Sequence, residues 1–321
     1  MYNIGIVGRG FVGSAVEFGF SPQTGCDLNN MYIYDKDKSR SLHTLENVVC
    51  YSDFIFLSVP TPSNEDGSIN LSYVEEALQD ISEITSEVEE AMAPVNNIVL
   101  IRSTVTPGTT RKLQEKYQNL NLVFNPEFLT ERSANFDFIN QARYILGGEE
   151  KYTNRVANLY RWRFGESIPV IETNYQTAEL IKYMNNCFFA TKVSFLNEMR
   201  QVSDLCDADW DKAVEGFIRD GRIGHSHMNV PGPDGKFGFG GKCFPKDVSA
   251  MISFGSQLGL NMHTLNGVWN TNCEVRPEKD WEDNDTGVAW VKEETEHGNK
   301  YTLKDIEMIQ DAVRQHESDK E

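Results

Sequence analysis

The sequence predicts an α/β protein in which a doubly wound, mainly parallel sheet is followed by a second, all-helical domain. Three observations carry that reading: short β-branched runs alternate with amphipathic stretches through the first half, a glycine cluster directly follows the first run, and Thr173–Leu205 is helical in pattern with neither Gly nor Pro. A chain of 321 residues suits two domains of ordinary size.

The runs Asn3–Val7, Met31–Tyr34, Phe54–Val59, Ile98–Arg102, Leu120–Phe124, Tyr144–Leu146 and Pro169–Ile171 have the length and composition of strands. Between them, Leu71–Met92 and Thr153–Phe164 space their apolar residues as helices do. Strands joined through helices pair in parallel, because the crossover returns the chain to the same edge. After the long helix, helical segments continue at Asp209–Phe217 and Pro245–Leu258. Between those two lies Gly221–Gly241, rich in Gly and Pro and too long for a mere connector, which marks it as a functional loop. Beyond Thr271 acids outnumber bases and apolar residues thin out, as in a loosely held tail. Within it, Thr302 and Asp305 resemble a helix start, with Leu303, Ile306, Ile309 and Val313 sharing one face. The expected domains are therefore 1–173, 174–271 and a tail over 272–321.

A net charge of −18 repels phosphate backbones and anionic lipid, and no local basic patch offsets it, so nucleic acid and membrane partners are not expected. The N-terminus opens directly on a strand-like run without the regions of a signal peptide, and no long apolar span follows, which points to the cytoplasm. Six cysteines at 26, 50, 187, 206, 243 and 273 have no ligand spacing, so neither a disulfide framework nor a metal site is expected.

Gly8-Arg9-Gly10-Phe11-Val12-Gly13 sits after a strand and before a helix. Gly8 permits the turn, Gly10 admits a pyrophosphate to the backbone, Gly13 lets helix and strand pack, and the helix start at Phe11 and Val12 supplies free N–H donors. The second strand ends in Asp35, placed to bond the ribose hydroxyls of NAD and to repel the 2′-phosphate of NADP. These features together indicate a Rossmann-type domain that binds NAD. Lys36, Lys38 and Arg40 read as a solvated basic turn. Two loops at the carboxyl ends of later strands, one with Pro60 and Thr61 and one with Ser103 and Thr104, either line the dinucleotide cleft or are ordinary Pro/Thr turns.

Three further constellations remain. Asn125–Glu131 offers two carboxylates, Glu127 and Glu131, on one face if the segment starts a helix. Lys182 and Asn186 lie one turn apart on the long helix. Gly238–Asp247 sets Cys243 at the mouth of a glycine-rich turn leading into a helix, a setting that lowers a thiol pKa. Singly, each also fits a structural role: a solvated helix face, surface residues, a small buried filler.

Together, GRGFVG, the STV turn at Ser103–Val105, NPEFLTE at 125–131, KYMNN at 182–186, RIG at 222–224 and GFGGKCFPKD at 238–247 resemble the UDP-glucose/GDP-mannose dehydrogenase family over roughly the first 270 residues. The resemblance implies oxidation of the C6 primary alcohol of a nucleotide sugar to the carboxylate, UDP-glucose to UDP-glucuronate in the first place, with reduction of two NAD. It implies that Cys243 holds a thiohemiacetal and then a thioester, that Lys182 and Asn186 stabilise the oxyanion, that Asp247 with Thr104 positions water or moves a proton, and that Glu127 is the base for thioester hydrolysis. Lys246 and Glu131 would border the cofactor; Glu127, Phe128, Leu129, Glu131, Lys182, Asn186, Phe239, Gly240 and Gly241 would border the substrate. Arg222 would reach the sugar nucleotide, from a neighbouring subunit if the long helix forms the family's homodimer. Family members continue into a third domain that grips the nucleotide; only the acidic tail follows here, so weak hold on the nucleotide and a raised KM are expected. Two other readings compete. A two-electron hydroxyacid dehydrogenase of the 6-phosphogluconate or 3-hydroxyisobutyrate type needs no cysteine, and a truncated, non-catalytic nucleotide-binding module needs none of the reactive side chains.

Overall fold

A computed structural model describes residues 2–282, apart from 28, 29, 92, 93 and 131. Glu131 and the expected helix around Thr302–Val313 lie outside the described residues. The strands are β1 (Asn3–Val7), β2 (Asn30–Tyr34), β3 (Phe54–Leu57), β4 (Ile98–Ile101), β5 (Leu122–Phe124), β6 (Tyr144–Gly148) and β7 (Val170–Thr173). They form one sheet in the order β2-β1-β3-β4-β5-β6-β7, parallel throughout except between β5 and β6. Each strand-like run of the sequence is thus a strand. β3 stops at Leu57 rather than at Val59, where the chain turns toward Pro60.

Alternate residues of the inner strands enter opposite cores, which is why those runs are mainly apolar instead of alternating. Ile4, Ile6, Phe54, Phe56, Ile98, Leu100, Val123 and Leu146 pack on one face. Val7, Ile55, Leu57, Val99, Ile101, Leu122 and Ile145 pack on the other. The first face is covered by α1 (Phe11–Gly19), α5 (Ala134–Ile139) and α6 (Glu150–Phe164), the second by α2 (Leu45–Tyr51), α3 (Ser72–Ala91) and α4 (Thr109–Lys116).

The helical part consists of α7 (Tyr175–Leu205), α8 (Trp210–Ile218), α9 (Phe244–Gln257) and α10 (His263–Val275). It lies with the sheet in one compact unit. Helix α7 begins at Asn174, whose side chain accepts the Thr177 N–H at 2.8 Å. Its first turns belong to the sheet: Tyr175 and Ala178 enter the second core, and a Cβ on Gly147 would stand 2.5 Å from the Ala178 Cβ. Its middle belongs to the helices, where Tyr183, Cys187 and Ala190 pack with Val248, Met251 and Val268. One helix therefore fixes the sheet edge relative to the helices that carry the cysteine loop.

Two expectations need correction. Residues 125–130 are not helical, and α5 starts only at Ala134, so NPEFLTE does not set its carboxylates on a helix face. The tail does not begin at residue 272: α10 runs to Val275, and beyond it Arg276 and Trp281 are 2% and 1% exposed. A few widely spaced anchors hold this polar stretch, and an average over composition hides them.

Helices α4 and α7 also meet through Glu179, a fully buried carboxylate accepting the Gly108 N–H at 2.5 Å and the Thr110 N–H at 2.7 Å at the start of α4. Burial raises its pKa to about 7 despite those bonds. Because the folded pKa lies above the unfolded one, this group's contribution is fully present below about pH 4.5 and is lost as pH rises through about 7. Stability of the wild type relative to Glu179→Gln should therefore fall by ~2–3 kcal/mol between those limits, measured by urea unfolding at several pH values. A difference that does not change with pH would refute this.

Candidate active site

The turn after β1 is shaped by sterics. Gly8 has φ +92°, and a Cβ there would lie 2.5 Å from the Ser58 carbonyl oxygen; a Cβ on Gly13 would lie 1.9 Å from the Gly8 carbonyl oxygen. A Cβ on Gly10, by contrast, would meet nothing within 4 Å. That open space above the N-terminus of α1 is what a pyrophosphate needs. Asp35 at the end of β2 accepts N–H bonds from Arg9 at 2.6 Å and Asp37 at 2.8 Å, which hold its carboxylate beside the glycine turn. In the basic turn, Lys36 pairs with Glu76 at 2.5 Å and Arg40 with Asp37 at 3.4 Å, so neither is a free cation awaiting a 2′-phosphate.

From this cradle a cavity of about 540 Å³ runs past Pro60, Thr61, Ser103 and Thr104 to Glu127, Cys243 and Lys246. Ser103 Oγ donates to the Val59 carbonyl at 2.7 Å and ties the β4 loop to the β3 loop. These residues fit NAD: the glycines and helix N-terminus for its phosphates, Asp35 for its ribose, and the far end for its reactive ring.

The reactive groups converge on that far end. Lys182 Nζ donates to the Glu127 carboxylate at 2.7 Å and to the Glu127 carbonyl at 2.5 Å, with side-chain exposures of only 4% and 9% for the pair. Burial pulls the Lys182 pKa down, but Glu127, Asp247 and Cys243 outweigh it and hold the ammonium above its ordinary value. Asn186 Nδ2 donates to Asp247 Oδ2 at 2.5 Å, and Lys246 Nζ donates to Asp247 Oδ1 at 2.6 Å. Glu127 also accepts the Leu129 N–H at 2.7 Å. An ammonium has three donors and an amide two, so Lys182 and Asn186 each keep one N–H beyond these bonds.

Cys243 immediately precedes α9 and is partly exposed. Its thiol is not activated as the sequence suggested. Burial, then the negative charges of Glu127 and Asp247, raise its pKa to about 11, against the opposing pull of Lys182 and Lys246. The glycine-rich turn and helix start were legible as activators; the opposing charges of Glu127, from the loop after β5, and of Asp247, one helical turn beyond the thiol, show only once the fold brings them to it.

Other expected residues lie differently. The Leu129 side chain is in the sheet core, Phe128 packs under Lys182 with its ring centroid 5.5 Å from Nζ, and Phe239 is buried among the helices. Arg222 is not brought to the cavity; its exposed guanidinium pairs with Asp220, two residues away. Buried residues with no expected role also border the site. Arg102 lines the cavity and donates to Asn125 at 2.6 Å, so the asparagine that opens NPEFLTE holds a buried arginine. Among the described residues no group of His, Cys, Asp or Glu side chains could hold a metal, and no helix is long and apolar enough to cross a membrane.

Comparison with known proteins decides the family. The models of the UDP-glucose/GDP-mannose dehydrogenase family match residues 33–163 as its NAD binding domain and 176–274 as its central domain. The chain belongs to this family. UDP-glucose 6-dehydrogenase TuaD of Bacillus subtilis is 32% identical over 232 residues, covering 70% of this chain and 47% of that protein. An uncharacterized protein of Methanocaldococcus jannaschii is 34% identical over 287 residues, covering 80% of this chain and 31% of that protein. The chain thus spans about half or less of the length of these relatives. A UDP-glucose dehydrogenase structure from Pyrobaculum islandicum superposes with a TM-score of 0.72 at 29% identity, over 85% of this chain and 68% of that one. A 3-hydroxyisobutyrate dehydrogenase from Mycobacterium tuberculosis reaches a TM-score of 0.64 at 14% identity, a likeness of fold alone. The sheet is of the Rossmann type and the cofactor is NAD.

Two outcomes follow from this geometry. NAD should bind at least ~10-fold more tightly than NADP by calorimetry, since a 2′-phosphate would face Asp35 with Lys36 and Arg40 already paired; equal affinities would refute the reading of Asp35. Without cofactor, alkylation of Cys243 by iodoacetamide, followed by mass spectrometry of its peptide, should rise about tenfold per pH unit from pH 7 toward about 11. A plateau near neutrality would mean that the lysines outweigh the carboxylates.

Proposed function

We propose that this protein oxidises the C6 primary alcohol of a nucleotide sugar to the carboxylate, with Cys243 holding the intermediate. The observation that carries the proposal is that Cys243, Glu127 and Lys246 line one end of the dinucleotide cavity, with Lys182 bonded to Glu127 and the Asn186–Asp247 pair bonded to Lys246. UDP-glucose is the proposed substrate, supported by the names of the relatives about 32% identical.

NAD, when bound, accepts a hydride from C6 at each oxidation. The C6 hydroxyl gives up its proton in the first step, by way of water held by Asp247 and Thr104. Cys243 Sγ then bonds to the aldehyde carbon, and the thiol proton leaves as the carbonyl oxygen becomes a hydroxyl; the remaining N–H of Lys182 and of Asn186 stabilise that oxygen as charge develops on it. A neutral thiol suits this order, because its proton departs only when the aldehyde is present. Loss of the second hydride and the hydroxyl proton leaves a thioester. Glu127 takes a proton from water, which attacks the thioester; the C–S bond breaks and the thiol returns. Two NADH form per carboxylate.

A homodimer through α7 is part of the proposal. Leu180, Met184, Phe188, Phe195, Met199 and Val202 make an exposed apolar stripe along one side of that helix, larger than scattered surface residues would give. Arg222, exposed on its loop, would reach a partner's site by giving up its pairing with Asp220. The cytoplasm is the proposed location, in keeping with six cysteines none of which is in a disulfide. A uronate product supplies polysaccharide synthesis.

Cys243→Ala should abolish carboxylate formation from UDP-glucose, whereas Cys206→Ala should leave turnover within about twofold. Counting NADH per sugar oxidised separates this reading from a two-electron hydroxyacid dehydrogenase: a ratio of one, or full turnover in Cys243→Ala, refutes the mechanism. Phe188→Asp should convert the dimer to monomer in sedimentation at micromolar concentration, and a wild type that is already monomeric there would remove α7 as the interface.

A further inference from the structure

The segment Gly238–Lys242 that delivers Cys243 is held by residues far along the chain. Asn272 of α10, fully buried, accepts the Phe239 N–H at 2.7 Å and donates to the Phe239 carbonyl at 3.0 Å, so one side chain grips both polar groups of that residue's backbone. Asn197 of α7 accepts the Gly238 N–H at 3.0 Å. One turn beyond Asn272, Arg276 lies under Gly240: a Cβ there would stand 2.4 Å from Nη2 and 2.6 Å from Cζ. The guanidinium is locked by Asp234 at 2.8 Å and Asp280 at 2.7 Å, and donates to the Phe237 carbonyl at 3.3 Å. Lys236 reaches over to Asp280 at 2.9 Å and Glu278 at 3.3 Å. A Cβ on Gly238 would likewise strike the Asn272 amide oxygen at 2.4 Å.

We propose that Asn272 and Arg276 are positioning residues that set the cysteine loop, and that Gly238 and Gly240 lack side chains so that these two groups can approach it. The proposal rests on the reading of Cys243 as nucleophile. The loop backbone has no sheet or helix partner over these residues, so its conformation must come from side chains, and buried donors and acceptors fix direction as well as distance. A nucleophile displaced by about 1 Å loses about 100-fold in rate while the binding of cofactor, made at the other end of the cavity, is untouched. The sequence Asn272-x-x-x-Arg276 therefore acts on the reaction from beyond the cavity, through the loop alone.

The test uses Asn272→Asp, Arg276→Lys and Arg276→Met in the full chain. Asn272→Asp keeps the bond from the Phe239 N–H and turns a carboxylate oxygen toward its carbonyl; Arg276→Lys keeps a cation between the aspartates. We expect kcat to fall about 10- to 100-fold in Asn272→Asp and Arg276→Met, with KM and the NAD dissociation constant within about threefold of wild type. Arg276→Lys should recover part of the loss. The rate of Cys243 alkylation should change in the same variants. A Gly240→Ala change should cost far less in Arg276→Met than in wild type, because the clash it creates is with Arg276. Wild-type kcat and alkylation in both Asn272→Asp and Arg276→Met, or additive effects of Gly240→Ala and Arg276→Met, would overturn the proposal. So would loss of NAD affinity in step with kcat in the mild Arg276→Lys variant, the mark of a general structural role. Turnover surviving in Cys243→Ala would instead refute the parent reading, and the alkylation and double-mutant results would still report on whether the loop is set by these residues.

Discussion

The interaction on which the rest of the site depends is the buried ion pair between Lys182 and Glu127. Two charges taken out of water cost several kcal/mol each, and only close, well-bonded geometry offsets that. Here the ammonium bonds both the carboxylate and the backbone carbonyl of the same residue, and the carboxylate is bonded in turn by the Leu129 N–H. The consequence is mechanical. Glu127 follows β5 and Lys182 sits on α7, so the pair pins the long helix to the carboxyl end of the sheet, where the dinucleotide cavity opens. Asn186, one turn further along α7, is then placed against Asp247 of α9, and the cysteine loop is brought to the same point.

The charges near Cys243 are balanced by elements remote from one another in sequence. Two lysines and two carboxylates act on the thiol, and each carboxylate is bonded by one of the lysines. Alone, the lysines would draw the proton off the sulfur; with their partners in place, burial decides, and the resting group is a thiol. A neutral sulfur is less exposed to oxidation and to stray electrophiles, and it becomes reactive when the electrophile itself is delivered. The raised pKa is thus consistent with a covalent role and does not argue against one.

How much of this was legible in the sequence follows physical lines. Every strand was: the inner ones are short, mainly apolar runs buried on both faces, and the half-exposed edge strands β2 and β7 keep short runs rich in β-branched or aromatic residues. The dinucleotide cradle was, because Gly8 and Gly13 answer steric demands of the turn itself and Gly10 leaves the space above the helix start open. Cys243, Lys182 and Asp247 were visible as side chains in motifs, but their charges were not, since a pKa depends on which distant groups share the cavity. NPEFLTE misled in a specific way: the i, i+4 spacing of its glutamates invites a helix, while Pro126 and the bond from the Leu129 N–H to Glu127 hold residues 125–130 in an irregular path. That path is what aims Glu127 inward at Lys182. Arg102 was hidden because it ends a strand-like run and looks like a surface residue, yet Asn125 draws it into the interior.

The least legible region, around α10 and the residues after it, carries the clearest lesson about composition. Polar and acidic residues dominate there, and their average says tail. Yet Asn272, Arg276 and Trp281 are nearly fully buried: the first two, one turn apart, meet the cysteine loop, and Trp281 packs against Trp269. An acid-rich stretch can be structural when its acids have a buried cation to surround, and Asp280 with Asp234 surrounds Arg276 in that way. The pattern to look for is not a run of hydrophobic residues. It is a glycine without local need, such as Gly240, whose missing side chain implies that something large comes close.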